Sequence, residues 1–456
     1  MKRYLTSILT AFVVLSLTAA TACTPDNPNT PQPQPEPVKP KAERFEVFQM
    51  PTPTEGDIPY RIPAIAVTKD GTLVAIADYR HSGTDIGVTN YGHIDLHYRL
   101  SYDNGNTWTD VMPLIEGKGA DATDFMSVGY GDPCIVADRE SDRVLVLSCA
   151  GNVSFQNGTR QNHQCIARFY SEDGGKTWSA PEDIAESIYS QFDNSAYGPV
   201  RSMFVASGRI FQSRTVKVGD YYRIYCAVWA VETGSYRHHN YALYSDDFGK
   251  TWNLLGELGN DFNDSPAPYG NEPKCEELPD GSVLLSSRKG YGRYFNVFHY
   301  TNFEKAEGYW DGAVATDQVG NLKFGSNDTN GEPLRIGNVL FQSVPTGNNR
   351  SGVSIFYRTL YDEPATYTPT ELSKNWKKIQ ITDRESAYSS MCILPDGNIG
   401  LYYEEEPGGY SMVYVPVEFD KTLDTWTYAF GLPFRCSTCK KGLKCEIVTV
   451  EGEIEE

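Results

Sequence analysis

The side chains in this sequence best suited to chemistry sit where predicted strands begin or end. Glu272 stands in Asn271-Glu272-Pro273, ahead of an apolar run, a Pro279-Asp280-Gly281 turn and a second run that ends at Arg288. Two antiparallel strands joined by such a hairpin return to the same end of a sheet, so Glu272 and Arg288 can meet at one face. The same design recurs near the carboxyl end. Tyr388, in Ser386-Ala387-Tyr388-Ser389-Ser390, is followed by a strand, the turn Pro395-Asp396-Gly397 and a strand ending in Tyr403-Glu404. Two further arginines head strands: Arg61 in Tyr60-Arg61-Ile62-Pro63, where the proline restrains the backbone to extended geometry, and Arg350 in Asn349-Arg350-Ser351-Gly352. A guanidinium is always charged and its planar fork holds a carboxylate through two hydrogen bonds. Arginine at such a strand end is therefore suited to binding a carboxylate. Asp85, in a polar, glycine-containing loop, and Asp132, in Gly131-Asp132-Pro133, complete the set. Each residue has a plainer reading: Asp85 and Asp132 as turn formers, Arg61 as a surface residue, and Asp95, Glu276, Glu277, Arg335 and Arg358 as neighbours of the same type.

The elements that must position these groups announce themselves by repetition. Ser101 to Trp108, Ser171 to Trp178 and Ser245 to Trp252 all fit Ser-x-Asp-x-Gly-x-Thr-Trp, at intervals of about 70 residues, the mark of a repeat architecture. Asp can bond its own backbone two residues on, Gly supplies positive φ, and the Trp can anchor the turn in an apolar slot. Further turn markers fall near residues 70, 141, 207, 280, 346 and 396, between apolar runs. With 30 Tyr and 40 Gly in the chain, the pattern predicts an all-β protein.

The eight-residue repeat resembles the Asp-box of the sialidase superfamily. That resemblance implies a six-bladed β-propeller spanning residues 44–430, with each box between the third and fourth strands of a blade, at the rim away from the site. It also implies roles. Arg61, Arg288 and Arg350 match the three arginines that bind the carboxylate of sialic acid, and Glu404 matches the residue that holds the first of them. Tyr388 matches the nucleophile, Glu272 the base that serves it, Asp85 the acid/base, and Asp132 an aspartate of the pocket near the acid loop. Sialic acid carries its carboxylate on the anomeric carbon, so a phenol meets less repulsion there than a carboxylate nucleophile would. At pH 7 only about one phenol in a thousand is ionised, a deficit of roughly 4 kcal/mol that a neighbouring base must relieve. The implied activity is retaining hydrolysis of terminal sialic acid from glycans, glycoproteins or glycolipids, without cofactor or metal. Other readings are a sialic-acid-binding propeller without turnover, and a glycosidase or transglycosylase for a related nonulosonic acid.

Net charge is −19, which excludes nucleic acid as a natural partner and means that an anionic substrate needs local positive charge. Lys2, Arg3 and the short apolar run from Leu5 predict a signal peptide over residues 1–22, and Ala20-Thr21-Ala22-Cys23 resembles a bacterial lipobox with Cys23 as the lipidation site. Export and attachment to a membrane by the lipid alone are the expectation. Residues 23–43 are Pro-rich and read as an extended linker. The tail at 431–456 carries Cys436, Cys439 and Cys445, too few ligands for a zinc site. The adjacent His238 and His239 read as surface residues.

Overall fold

Six mainly antiparallel sheets follow one another along the chain, each built largely from consecutive strands. The computed structural model describes residues 39–40, 44–49 and 60–419, apart from 82, 89–91, 197, 234–236, 260–263, 327–328, 362, 364–366 and 406–410. The leader, Cys23, most of the expected linker, and the tail with its three cysteines lie outside the described residues. Lys39–Pro40, inside the expected linker, forms a short strand on the last sheet.

The first blade runs Tyr60–Val67, Leu73–Arg80, Ile94–Ser101 and Met112–Ile115. Blades two to five begin at Tyr130, Val200, Asn271 and Glu332, and the sixth contains Ser386–Ile393, Ile399–Glu405 and Ser411–Glu418. Its outer strand is Phe45–Phe48, from the start of the chain, with Phe45 opposite Tyr414. Pairing this strand into the last sheet closes the ring and covers the outer edge of Ser411–Glu418. The core is divided accordingly. Six apolar clusters each fill the space between two neighbouring sheets, as where Leu145 and Leu147 of blade two meet Met203 and Val228 of blade three. Sheets apolar on both faces are what the near-continuous runs such as Val144–Ala150 encode.

Four turn markers join the first two strands of a blade as expected, at residues 70, 141, 280 and 396. Two do other work. The marker at 207 interrupts the innermost strand of blade three, whose segments Val200–Val205 and Phe211–Val218 both pair with the long strand Tyr221–Glu232. The marker at 346 joins the second and third strands of blade five. That displacement puts Arg350 at the same end of the ring as Arg61, Glu272 and Tyr388.

The Asp-boxes sit at the opposite end, after the third strands of blades one to three. Asp103 accepts from Ser101 Oγ (2.9 Å), Thr107 N (2.8 Å) and Thr107 Oγ1 (2.6 Å), while Ser101 Oγ accepts from Gly105 N (2.8 Å). Asp173 and Asp247 make the same bonds in their own boxes. Gly105 is required twice over: its φ is +87°, and a Cβ there would lie 2.1 Å from the ring of Tyr414. Trp108 meets that same ring edge-on at 5.5 Å, so the box locks blade one to blade six. Asp103→Ala should lower unfolding free energy by about 0.5–1.5 kcal/mol, since it removes the acceptor of one backbone amide and two hydroxyls. Urea titration measures the loss, and activity at 25 °C should be unchanged because the box lies at the far rim.

Candidate active site

The end of the ring opposite the Asp-boxes is marked by irregular backbone. The pairing between first and second strands slips at Arg61/Ala64, Gly131/Cys134, Asn271/Pro273 and Ser386/Ser389. Each is a bulge in the first strand of a blade, and bulges re-aim side chains beside functional sites. Pro63, Pro133 and Pro273 occupy three of them, where no ladder donor is needed. Arg61 is extended as expected, but Ile62, directly before Pro63, is left-handed at φ 59°, as are Asp132 at 54° and Arg350 at 56°. For a β-branched residue this conformation is strained. It is held because the Ile62 amide donates to Glu404 Oε1 at 2.7 Å.

Two connected groups of side chains result. In the first, the Tyr388 hydroxyl donates to Glu272 Oε1 at 2.6 Å, and Arg288 Nη1 donates both to Glu272 Oε2 (2.7 Å) and to the Tyr388 oxygen (2.9 Å). The guanidinium carbons of Arg61, Arg288 and Arg350 lie 5.8, 6.0 and 5.4 Å from the centre of the Tyr388 ring. Glu404, fully buried, accepts from Arg61 Nε (2.8 Å) and Nη2 (3.3 Å) and from the backbone amides of Ile62 and Tyr388. Burial opposes its charge, but Arg61 and these hydrogen bonds prevail and hold the carboxyl below its usual range. Burial raises the Tyr388 phenol well above its usual value, the Glu272 carboxylate raises it further, and Arg288 and Arg350 oppose both. At rest the phenol is neutral and already aimed at a base.

The second group is centred on a pair to which sequence reasoning assigned nothing. Asp78 and Arg80 are buried and bonded through Arg80 Nε (3.1 Å) and Nη2 (2.8 Å) to Asp78 Oδ2. Arg80 Nη1 reaches Asp85 Oδ1 at 2.5 Å, and the Asp132 amide donates to Asp78 Oδ1 at 3.0 Å. Both stand in the strand that leads into the Asp85 loop. Their spacing of two, which puts them on one face of a strand, was the available signal. Asp85 itself points outward, with 68% of its side chain exposed. The groups are close enough to act on one another: Arg80 disfavours the charge on Arg61, and Glu272 disfavours ionisation of Asp132.

Asp132 sits among like charges. Burial, then Asp78, Asp85 and Glu272, push its carboxyl well above the usual range, with Arg80 opposing. Asp78 is pushed up to about 6, chiefly by burial. A carboxyl raised on folding binds more protons folded than unfolded, so its contribution weakens as pH rises through the interval between the two values. Asp132→Asn should therefore stabilise the fold at pH 7 and flatten the decline of stability as pH rises above the usual carboxylate range. Melting temperatures across that rise test it. Asn also tolerates the left-handed backbone at this position.

The neighbours of the same type lie elsewhere. Glu276 pairs with Arg209 and Arg214. Glu277 accepts from Ser213 and from the Arg214 amide. Arg335 bonds the backbone of Glu277, Arg358 that of Glu371 and Lys374, and Asp95 bonds His81. The reading of His238 and His239 as surface residues is corrected. His239 is buried 2.8 Å from Glu232, and His238 stacks on Trp229, because the long strand opposite them, Tyr221–Glu232, continues to this rim.

Comparisons with known proteins agree with this architecture. The BNR/Asp-box repeat model matches residues 169–180 and 243–254. A sialidase of Micromonospora viridifaciens is 28% identical over 377 residues, 78% of this chain and 51% of that one. A sialidase of Bacteroides fragilis is 30% identical over 51% of this chain and 40% of that one, and an exo-alpha-sialidase of Aspergillus fumigatus 26% identical over 76% and 79%. The chain thus spans about half the length of several curated relatives it matches. The intramolecular trans-sialidase from Ruminococcus gnavus shares the fold, with a TM-score of 0.59 at 16% identity over 81% of this chain and 97% of that one. By sequence the chain is similar to sialidases, and by fold to the solved sialidase-type β-propellers, with Asp-box repeats in common.

Proposed function

We propose that this protein is a retaining exo-α-sialidase that removes terminal sialic acid from glycoconjugates. The observation that carries the reading is the hydrogen bond from Tyr388 to Glu272 beneath three arginines. A binding protein needs only the arginines. A phenol held on a carboxylate is a nucleophile with its base in place.

On this reading Arg61, Arg288 and Arg350 clamp the substrate carboxylate and fix the ring. They also supply the positive charge that a chain of net charge −19 otherwise lacks. As the Tyr388 oxygen attacks the anomeric carbon, its proton passes to Glu272 Oε1, and the Arg288 hydrogen bond steadies the charge on the phenol oxygen. Asp85, held at the rim by Arg80, gives a proton to the departing oxygen. It then takes one from the water that breaks the Tyr388–sugar bond. Two displacements return the original anomeric configuration. The proposal includes export and lipid anchoring at Cys23, from the leader and lipobox pattern.

Proton NMR of the reaction of the chain with an α-2,3- or α-2,6-sialyl-lactose tests the scheme. The α-anomer of free sialic acid should appear first and then mutarotate. First appearance of the β-anomer, or no release by folded protein, would overturn it.

A further inference from the structure

Outside this site, the first blade gathers three histidines around one buried carboxylate. Asp95 and His97 alternate along the strand Ile94–Ser101 and share a face, and His93 directly precedes it. His81 follows the neighbouring strand, and its amide bonds the carbonyl of His93, which places the two rings side by side. These rings stack with centroids 3.7 Å apart. Asp95 Oδ2 lies 2.7 Å from His81 Nε2, and Oδ1 lies 3.6 Å from His93 Nε2. One ligand atom from each of His81, His93 and Asp95 falls within 4.8 Å of the others. The supporting shell is in place as well. The Gly117 amide donates to Asp95 Oδ1 at 2.8 Å, and His97 lies 3.8 Å from Oδ2, its other nitrogen bonded to the Tyr60 hydroxyl at 3.0 Å.

We propose that His81, His93 and Asp95 bind a zinc ion. Two imidazoles and a carboxylate are ligands suited to a borderline-soft divalent ion, and three protein ligands leave a fourth position for water. The buried, amide-braced carboxylate supplies the charge, and fixed second-shell partners of this kind orient metal ligands. The position gives the ion a task. His81 and His93 stand at the two ends of the loop that carries Asp85, so zinc would tie that loop at its base without touching the reacting atoms. No step of the sialidase reading runs through it.

The test uses the full chain, freed of metal with chelator and titrated with Co²⁺ as a spectroscopic probe and then Zn²⁺. One equivalent of Co²⁺ should bind with visible ligand-field bands, and Zn²⁺ should displace it. His81→Gln and His93→Gln should each weaken binding by more than the roughly 10–100-fold that loss of an outer-shell partner costs. His299→Gln, which alters the His299–Asp311 pair on blade four, should bind as the parent does. Circular dichroism of each variant separates lost ligands from lost fold. Absence of stoichiometric binding by the parent, or unchanged affinity in folded His93→Gln, would overturn the proposal. Neither result bears on whether the chain releases sialic acid.

Discussion

Tyr388→Phe is expected to lower turnover of an α-sialoside by at least about 10⁴-fold while leaving the propeller folded. The substitution removes one oxygen and nothing else. That oxygen donates to Glu272 at 2.6 Å and accepts from Arg288 at 2.9 Å. Glu272 keeps its 2.7 Å bond to Arg288 through the other carboxylate oxygen, so the loss should cost no more than about 1–3 kcal/mol of stability. The three guanidiniums remain, and binding of sialic acid should stay within about tenfold of the parent. Turnover with a fluorogenic α-sialoside and calorimetric binding of free sialic acid separate the two effects. A variant that binds and does not turn over fits the nucleophile assignment. Retained turnover would move the nucleophile to another group and leave the clamp intact.

The sequence readings that held share one property: they rest on hairpins. Glu272 with Arg288, and Tyr388 with Glu404, are each joined by two strands and a Pro-Asp-Gly turn, and a hairpin returns both residues to one end of a sheet whatever lies around it. The Asp-box was readable for a similar reason, since every bond of Asp103 is made within its own eight residues. What depends on distant pairing was not readable. The contact of Glu272 with Tyr388 joins blades four and six, and only ring closure by Phe45–Phe48 on the sixth sheet fixes that geometry. The turn at 346 resembles a first hairpin locally, but joins later strands because blade five makes its first turn at Gly337-Asn338. Asp78 and Arg80 had a period-two spacing, yet nothing local distinguishes a buried ion pair facing a site from a solvated pair on a strand. The left-handed backbone at Ile62 was hidden altogether. The residue before a proline favours extended geometry, and only the distant Glu404 overrides that preference.

Glu404→Leu is expected to cost about 3–5 kcal/mol of folding stability, the usual penalty for removing one member of a buried ion pair. Glu404 is completely buried and its partner Arg61 nearly so. The change strips Arg61 of both its hydrogen bonds to this carboxylate and orphans the amides of Ile62 and Tyr388. Those amides flank the strained turn and the proposed nucleophile, so the damage should extend to catalysis as well as to binding of the substrate carboxylate. Glu404→Gln tests the charge with the shape retained. In the parent, Arg61 and the hydrogen bonds hold the Glu404 carboxyl below its unfolded value, so the unfolded chain takes up its proton first as pH falls. The stability it contributes is present above the usual carboxylate range and is lost as pH drops through the lower, folded value. Urea unfolding of parent and Glu404→Gln between pH 3 and 7 should therefore show a difference that is largest at pH 7 and narrows towards pH 3. A difference independent of pH would mean that Glu404 acts through packing alone, and that Arg61 is held in place by something other than this charge.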